Sequence, residues 1–141
     1  MSAPRHWPIA ALFVAATLAL PTAARAQSAD THVTGIVYED ANGNGRRDAD
    51  ERGVPGVRVS YGRDVTTTDA DGRYRLPISG DAVIFVVKPR NWMTPVCASN
   101  LPQFHYVHRP TGSPPLKYAG VAPTGPLPDS VDFALVRRPE P

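Results

Sequence analysis

The sequence predicts an all-β protein, an immunoglobulin- or transthyretin-like β-sandwich with a Pro-rich C-terminal segment packed on it. Three observations lead there. Apolar and polar residues alternate with period two in successive runs between residues 32 and 88, the pattern of half-buried strands. Five such runs, separated by short turns rich in Gly and Asp, fit into fewer than sixty residues, which is sandwich spacing. Residues 89–141 then hold 11 of the 16 prolines, a density that excludes helices and central strands.

Each element has its own signature. HVTGIVY, 32–38, places Val33, Gly35 and Val37 on one face and Thr34, Ile36 and Tyr38 on the other. GVRVSYG, 56–62, turns Val57, Val59 and Tyr61 inward and Arg58 and Ser60 outward. Gly62-Arg63-Asp64 makes a tight hairpin into VTTTD, 65–69, a β-branched run. Asp69-Ala70-Asp71-Gly72 is a structural turn: an Asp side chain accepts from backbone amides, and Gly72 accepts a positive φ. GRYRLP, 72–77, points Tyr74 and Leu76 in and Arg73 and Arg75 out. AVIFVVK, 82–88, is apolar on both faces and is expected to be a central strand covered on both sides. Trp92, Phe104, Tyr106, Tyr118 and Phe133 are spread through the Pro-rich part. Disordered chain is poor in aromatics, so that part is read as extended and packed, ending in a last strand VDFALV, 131–136. There is no internal repeat.

The N-terminus reads as a secretory signal peptide, residues 1–26. Arg5 and His6 precede the apolar run 9–20, Pro21 breaks it, and Ala24-Arg25-Ala26 supplies the cleavage signal before Gln27. The run is too short to span a bilayer. Residues 27–136 are expected to form one domain, with a strand-rich core at 33–88, a Pro-rich extended segment at 89–130 and the last strand at 131–136. Residues 137–141 would be a tail or the start of a linker. The mature protein is therefore expected in the periplasm or secreted, with no membrane span.

Cleavage would remove Arg5 and Arg25, leaving 13 basic residues against 13 acidic ones, all of which lie after the cut. A neutral domain with interspersed signs gives no electrostatic reason to expect a nucleic acid or an anionic membrane as partner. Cys97 is the only cysteine, so no intrachain disulfide forms, and it is expected to be a buried small hydrophobe.

One stretch carries chemistry. DANGNGRRDADE, 40–51, fits the spacing of a calcium loop, D-x-[DN]-x-[DN]-G-x5-E. Asp40, Asn42 and Asn44 supply side-chain oxygens at positions 1, 3 and 5. Gly45 permits the sharp turn at position 6, Arg46 offers its backbone carbonyl at 7, Asp48 stands at 9, and Glu51 closes the cage at 12. Strands, not helices, flank the loop, so the expected ion is structural Ca2+ rather than a sensor's trigger. The same pattern also suits a turn without metal, because Asn and Gly tolerate positive φ. Arg46 and Arg47 lie close by, and the expected affinity is the modest one of extracellular modules, about 10⁻⁴–10⁻³ M.

The run from Gly35 to Pro77, GIVYEDANGNGRRDADERGVPGVRVSYGRDVTTTDADGRYRLP, resembles the N-terminal, non-catalytic domain of bacterial calcineurin-like metallophosphoesterases. The acidic loop followed by G-V-x-V-S is also similar, more distantly, to the calcium-binding B-type repeats of surface adhesins. NLPQFHYVHRPTGSPPLKYAGVAPTGPLPDSVDFAL, 100–135, resembles the segment that closes the phosphoesterase domain, which adhesin repeats lack. The resemblance implies a catalytic domain in cis in relatives, absent from these 141 residues, and a stabilising or positioning role for this one. None of the motifs D-x-H, G-D-x-x-D and G-N-H-[DE] that the family uses for two-metal hydrolysis is read here, so no catalytic residue and no catalytic cofactor is assigned. His32, His105 and His108 are expected to be surface or packing residues. Two other readings of a sandwich are a cell-surface adhesion or stalk module and a carbohydrate-binding module with a glycan partner stacked on Trp92, Tyr106 and Tyr118.

Overall fold

Strand β1, Thr31–Glu39, is the longest element and the axis of the first sheet. The computed structural model describes residues 31–115 and 117–139, and the signal peptide expected at 1–26 lies outside them. Among the described residues there is no helix. After β1 come β2 (Arg58–Ser60), β3 (Val65–Thr67), β4 (Arg73–Ile78), β5 (Ala82–Val87), β6 (Trp92–Met93), β7 (His105–His108) and β8 (Phe133–Arg137). They form two four-stranded sheets, in the orders β4-β1-β8-β6 and β3-β2-β5-β7.

The alternation read from the sequence sets the register. Leu76 faces Val33 and Tyr74 faces Gly35 across the antiparallel β1–β4 pair. Val59 lies between Thr66 and Val86, and Ile84 opposite Tyr106, in the second sheet. One core results: Val33, Val37, Tyr74, Leu76, Ile78, Phe133 and Leu135 from the first sheet meet Val57, Val59, Ala82, Ile84 and Val86 from the second. Pro77 sits in β4, an edge strand, where a missing N–H leaves no ladder bond unmade.

The C-terminal part departs from the expected extended segment. It contributes β6, β7 and β8, and β8 runs Phe133–Arg137 rather than 131–136. β8 pairs parallel to β1, with Val37 opposite Phe133, and so becomes an interior strand of the first sheet. Trp92, Tyr106 and Leu127 pack against the core, whereas Phe104 and Tyr118 stay exposed. Prolines fall between these strands rather than within them, which is why a Pro-dense stretch still completes both sheets.

Three other expectations are corrected. β5 is central in its sheet but covered on one face alone: Val83 and Val87 are 47% and 42% exposed. Both faces of the strand carry Val, so its sequence lacks the apolar–polar alternation that marks a strand covered on one side. Ser60 is buried rather than outward; its hydroxyl donates to the Asp64 carbonyl and accepts from the Gly62 amide, capping the β2–β3 hairpin. Cys97 is half-exposed rather than buried, in a turn closed by the Cys97 amide donating to Leu101 O at 3.0 Å. No helix among the described residues is long and apolar enough to cross a membrane.

Candidate functional site

The acidic loop leaves β1 at Glu39 and re-enters the fold at Gly53, which bridges Tyr38. Its two ends are anchored in the sheet: the Asp40 amide donates to Leu135 O and the Glu39 amide to Arg52 O. Asp40 is therefore drawn inward and is 1% exposed, and Glu51, at the other end, is 7% exposed. A buried carboxylate must be compensated by donors, and the loop provides them. Asp40 Oδ1 accepts from the amides of Gly43 (2.8 Å) and Asn44 (3.1 Å), and Oδ2 from Gly45 (2.9 Å). Glu51 Oε1 accepts from Ala41 and Oε2 from Asp48, both at 3.0 Å. Gly45 takes φ 69°, the left-handed turn that position 6 requires.

The exposed rim is tied together separately. Asn42 Oδ1 accepts from the Asn44 amide and Asn44 Oδ1 from the Arg46 amide. The side-chain nitrogens of both asparagines donate to Asp48 Oδ2, at 2.7 and 2.9 Å. Asp40, Asn42, Asn44, Asp48 and Glu51 are thus wound into one hydrogen-bonded ring, with Arg46 held by its amide. The available donors are all oxygens, the chemistry that suits a hard cation. Among the described residues, however, no three His, Cys, Asp or Glu side chains are gathered at metal-binding positions. The convergence is one of carboxylates onto backbone amides.

Tyr38 belongs to this neighbourhood and carried no signal in the sequence. Its phenol is pushed up to about 12, first by burial and then by the negative charges of Asp40, Glu51, Asp132 and Asp48. Asp132 arrives from the C-terminal part, where its Oδ1 accepts from the Ile36 amide at 2.9 Å. Nothing local to residues 36–40 could have announced it.

The second turn is built as its composition suggests. Asp69 Oδ1 accepts from the amides of Asp71 (2.9 Å) and Arg73 (2.8 Å), and the Gly72 amide donates to Asp69 O at 3.1 Å. Gly72 has φ 74° and lies so close to Val37 O and Val54 N that a side chain there has no room.

The remaining candidates disperse. His105 and His108 are three apart on one strand and so point to opposite faces; His108 is buried against Ala82 in register, and His105 is exposed. Asp30-Thr31-His32 does spell D-x-H, but G-D-x-x-D and G-N-H-[DE] occur nowhere in the sequence, and His32 lies on β1 opposite Pro77. Trp92 is in the first sheet, Tyr106 in the second, and Tyr118 is 76% exposed, so the three form no common stacking platform. The Cys97 thiol is drawn below its ordinary value by backbone hydrogen bonds from Leu101 and then Ser99.

A family model described as the N terminal of calcineurin-like phosphoesterase matches residues 41–117, which is more than half the chain and runs from the acidic loop through β7. No curated protein matches it.

Proposed function

Since the chain belongs to the family of N-terminal domains of calcineurin-like phosphoesterases, we propose that it is an exported, non-catalytic accessory domain that stabilises or positions a phosphoesterase catalytic domain. The observation that carries the reading is the extent of the match. It covers all of the acidic loop but Asp40, and six of the eight strands, and it is a match to the accessory domain, not to a catalytic one. Adhesion or glycan binding has no comparable support.

The acidic loop is proposed as a structural Ca2+ site. Support comes from the twelve-residue spacing and from the burial of its first and twelfth residues, Asp40 and Glu51. Asp40, Asn42, Asn44, Asp48, Glu51 and the Arg46 carbonyl would hold the ion. Ligation by Asn42, Asn44 and Asp48 would replace the present hydrogen bonds from the two asparagine side chains to Asp48. The ion's contribution is charge neutralisation and stiffening of a long inter-strand connection, with no chemical step.

The test of the main reading is reconstitution. A calcineurin-like catalytic domain lacking its own N-terminal domain is mixed with the purified chain. A raised unfolding midpoint or turnover of the catalytic domain is the expected result. No change in either, or phosphodiesterase turnover by the chain alone with manganese, overturns it.

A further inference from the structure

We propose that Arg47, Arg52 and Arg73 form a receptor for a phosphoryl group carried by the substrate of the partner enzyme. The three side chains line one open cavity of about 490 Å³, together with Gly53, Ala70 and Asp71. Three guanidinium groups therefore share a cavity with a single carboxylate. The ion pairs among the described residues are Arg109–Asp81 and Arg137–Glu39, so among those residues none of the three is engaged in one. One carboxylate offsets only part of the repulsion among three like charges, and an anion placed between them relieves the rest. The guanidinium fork matches phosphate oxygens two at a time, which favours a phosphoryl group over a spherical anion such as chloride.

The arginines come from separate segments that the fold pins together. Arg47 projects from the acidic loop and Arg52 from its exit, where Arg52 O accepts the Glu39 amide at 2.8 Å. Arg73 opens β4, and its amide is held by Asp69 Oδ1 at 2.8 Å. The two backbones are in contact behind the cavity: Gly53 lies directly against the Asp71 carbonyl, where no side chain fits. The walls are thus fixed while the charged ends remain exposed, as a receptor for a ligand from solution requires. The size favours one head group. A polynucleotide needs a basic stripe, and basic and acidic residues are equal in number after residue 26.

This site deepens the accessory-domain reading, on which its purpose rests, but its existence is tested without any enzyme. The purified chain is titrated with inorganic phosphate by calorimetry at ionic strength held constant with chloride, and separately with phosphatidylcholine vesicles containing phosphatidic acid. Saturable phosphate binding is expected. It should weaken at least tenfold in Arg52→Ser and in Arg73→Ser, with unchanged unfolding midpoints, and persist in Arg58→Ser on the other sheet. Arg47→Ser supplies a third variant should either of the first two fold poorly. Vesicle binding that soluble phosphate displaces identifies a lipid head group; phosphate binding without vesicle binding identifies a soluble phosphoester. A chain that does not distinguish phosphate from chloride, or variants that bind as the parent does, overturns the proposal. Reconstitution with the catalytic domain can succeed or fail independently of either result.

Discussion

The Tyr74 hydroxyl donates to the Val131 carbonyl at 2.7 Å, tying the start of β4 to the residues that lead into β8. Both groups are buried, and opposite Tyr74 in register stands Gly35, whose lack of a side chain lets the Val131 carbonyl approach β1. Tyr74→Phe keeps the ring in the core and leaves that carbonyl without its donor. The expected loss is about 1–3 kcal/mol, read by urea unfolding. Gly35→Ala should lose more, because the new methyl displaces backbone rather than a side chain.

Calcium should stabilise the fold through the acidic loop. With affinity of about 10⁻⁴–10⁻³ M, roughly 10 mM calcium adds about 1.4–2.7 kcal/mol, which raises the thermal midpoint by about 5–10 °C over the EDTA-treated protein. Glu51→Gln should abolish the response. Equal midpoints with calcium and EDTA would leave the loop as a hydrogen-bonded turn and nothing more.

Alkaline pH should unfold the protein earlier than its composition suggests. Tyr38 is pushed up to about 12 by burial and then by four nearby carboxylates, and burial raises Tyr74 further. The unfolded chain releases these protons near the ordinary value of about 10 and the folded chain does not, so stability is fully present below about pH 10 and falls as pH rises above it. Tyr38→Phe should flatten the fall between about pH 10 and about pH 12. A denaturant midpoint that does not change over that window in the parent would contradict the burial of both phenols.

The two faces of β5 should answer differently to substitution. Ile84 is fully buried, and Ile84→Ala should lose about 2–5 kcal/mol. Val83, its exposed neighbour, should tolerate Thr within about 0.5 kcal/mol. Paired chemical denaturation of the two variants separates them, and a large loss at Val83 would mean that this face is covered.

Removing residues 100–141 should abolish cooperative unfolding. The deletion takes β7 and β8, and with them Phe133 and Leu135 from the core. Each large core side chain is worth about 2–5 kcal/mol, against a total of about 5–15 kcal/mol for a small domain. A truncated chain with intact near-ultraviolet circular dichroism would show instead that the Pro-rich part is an appendage.

By itself the sequence determined what is local. Alternation placed β1, β2, β4 and β5, because side chains alternate across a strand whatever lies on either side. Asp69-Ala70-Asp71-Gly72 and Gly62-Arg63-Asp64 fixed their turns through Asp acceptors and positive φ, which need no distant partner. The spacing of Asp40, Gly45 and Glu51 announced a tight twelve-residue loop, and the structure closes it by carboxylates accepting from the loop's own amides. Tertiary structure alone decided the rest. It inserted β8 parallel to β1, brought Asp132 to Ile36 and Tyr38, left the Val83 face of β5 open, and set Arg73 beside Arg47 and Arg52. These relationships join residues far apart along the chain. They depend on which surfaces of the two sheets find a partner, and no periodicity within either segment records that choice.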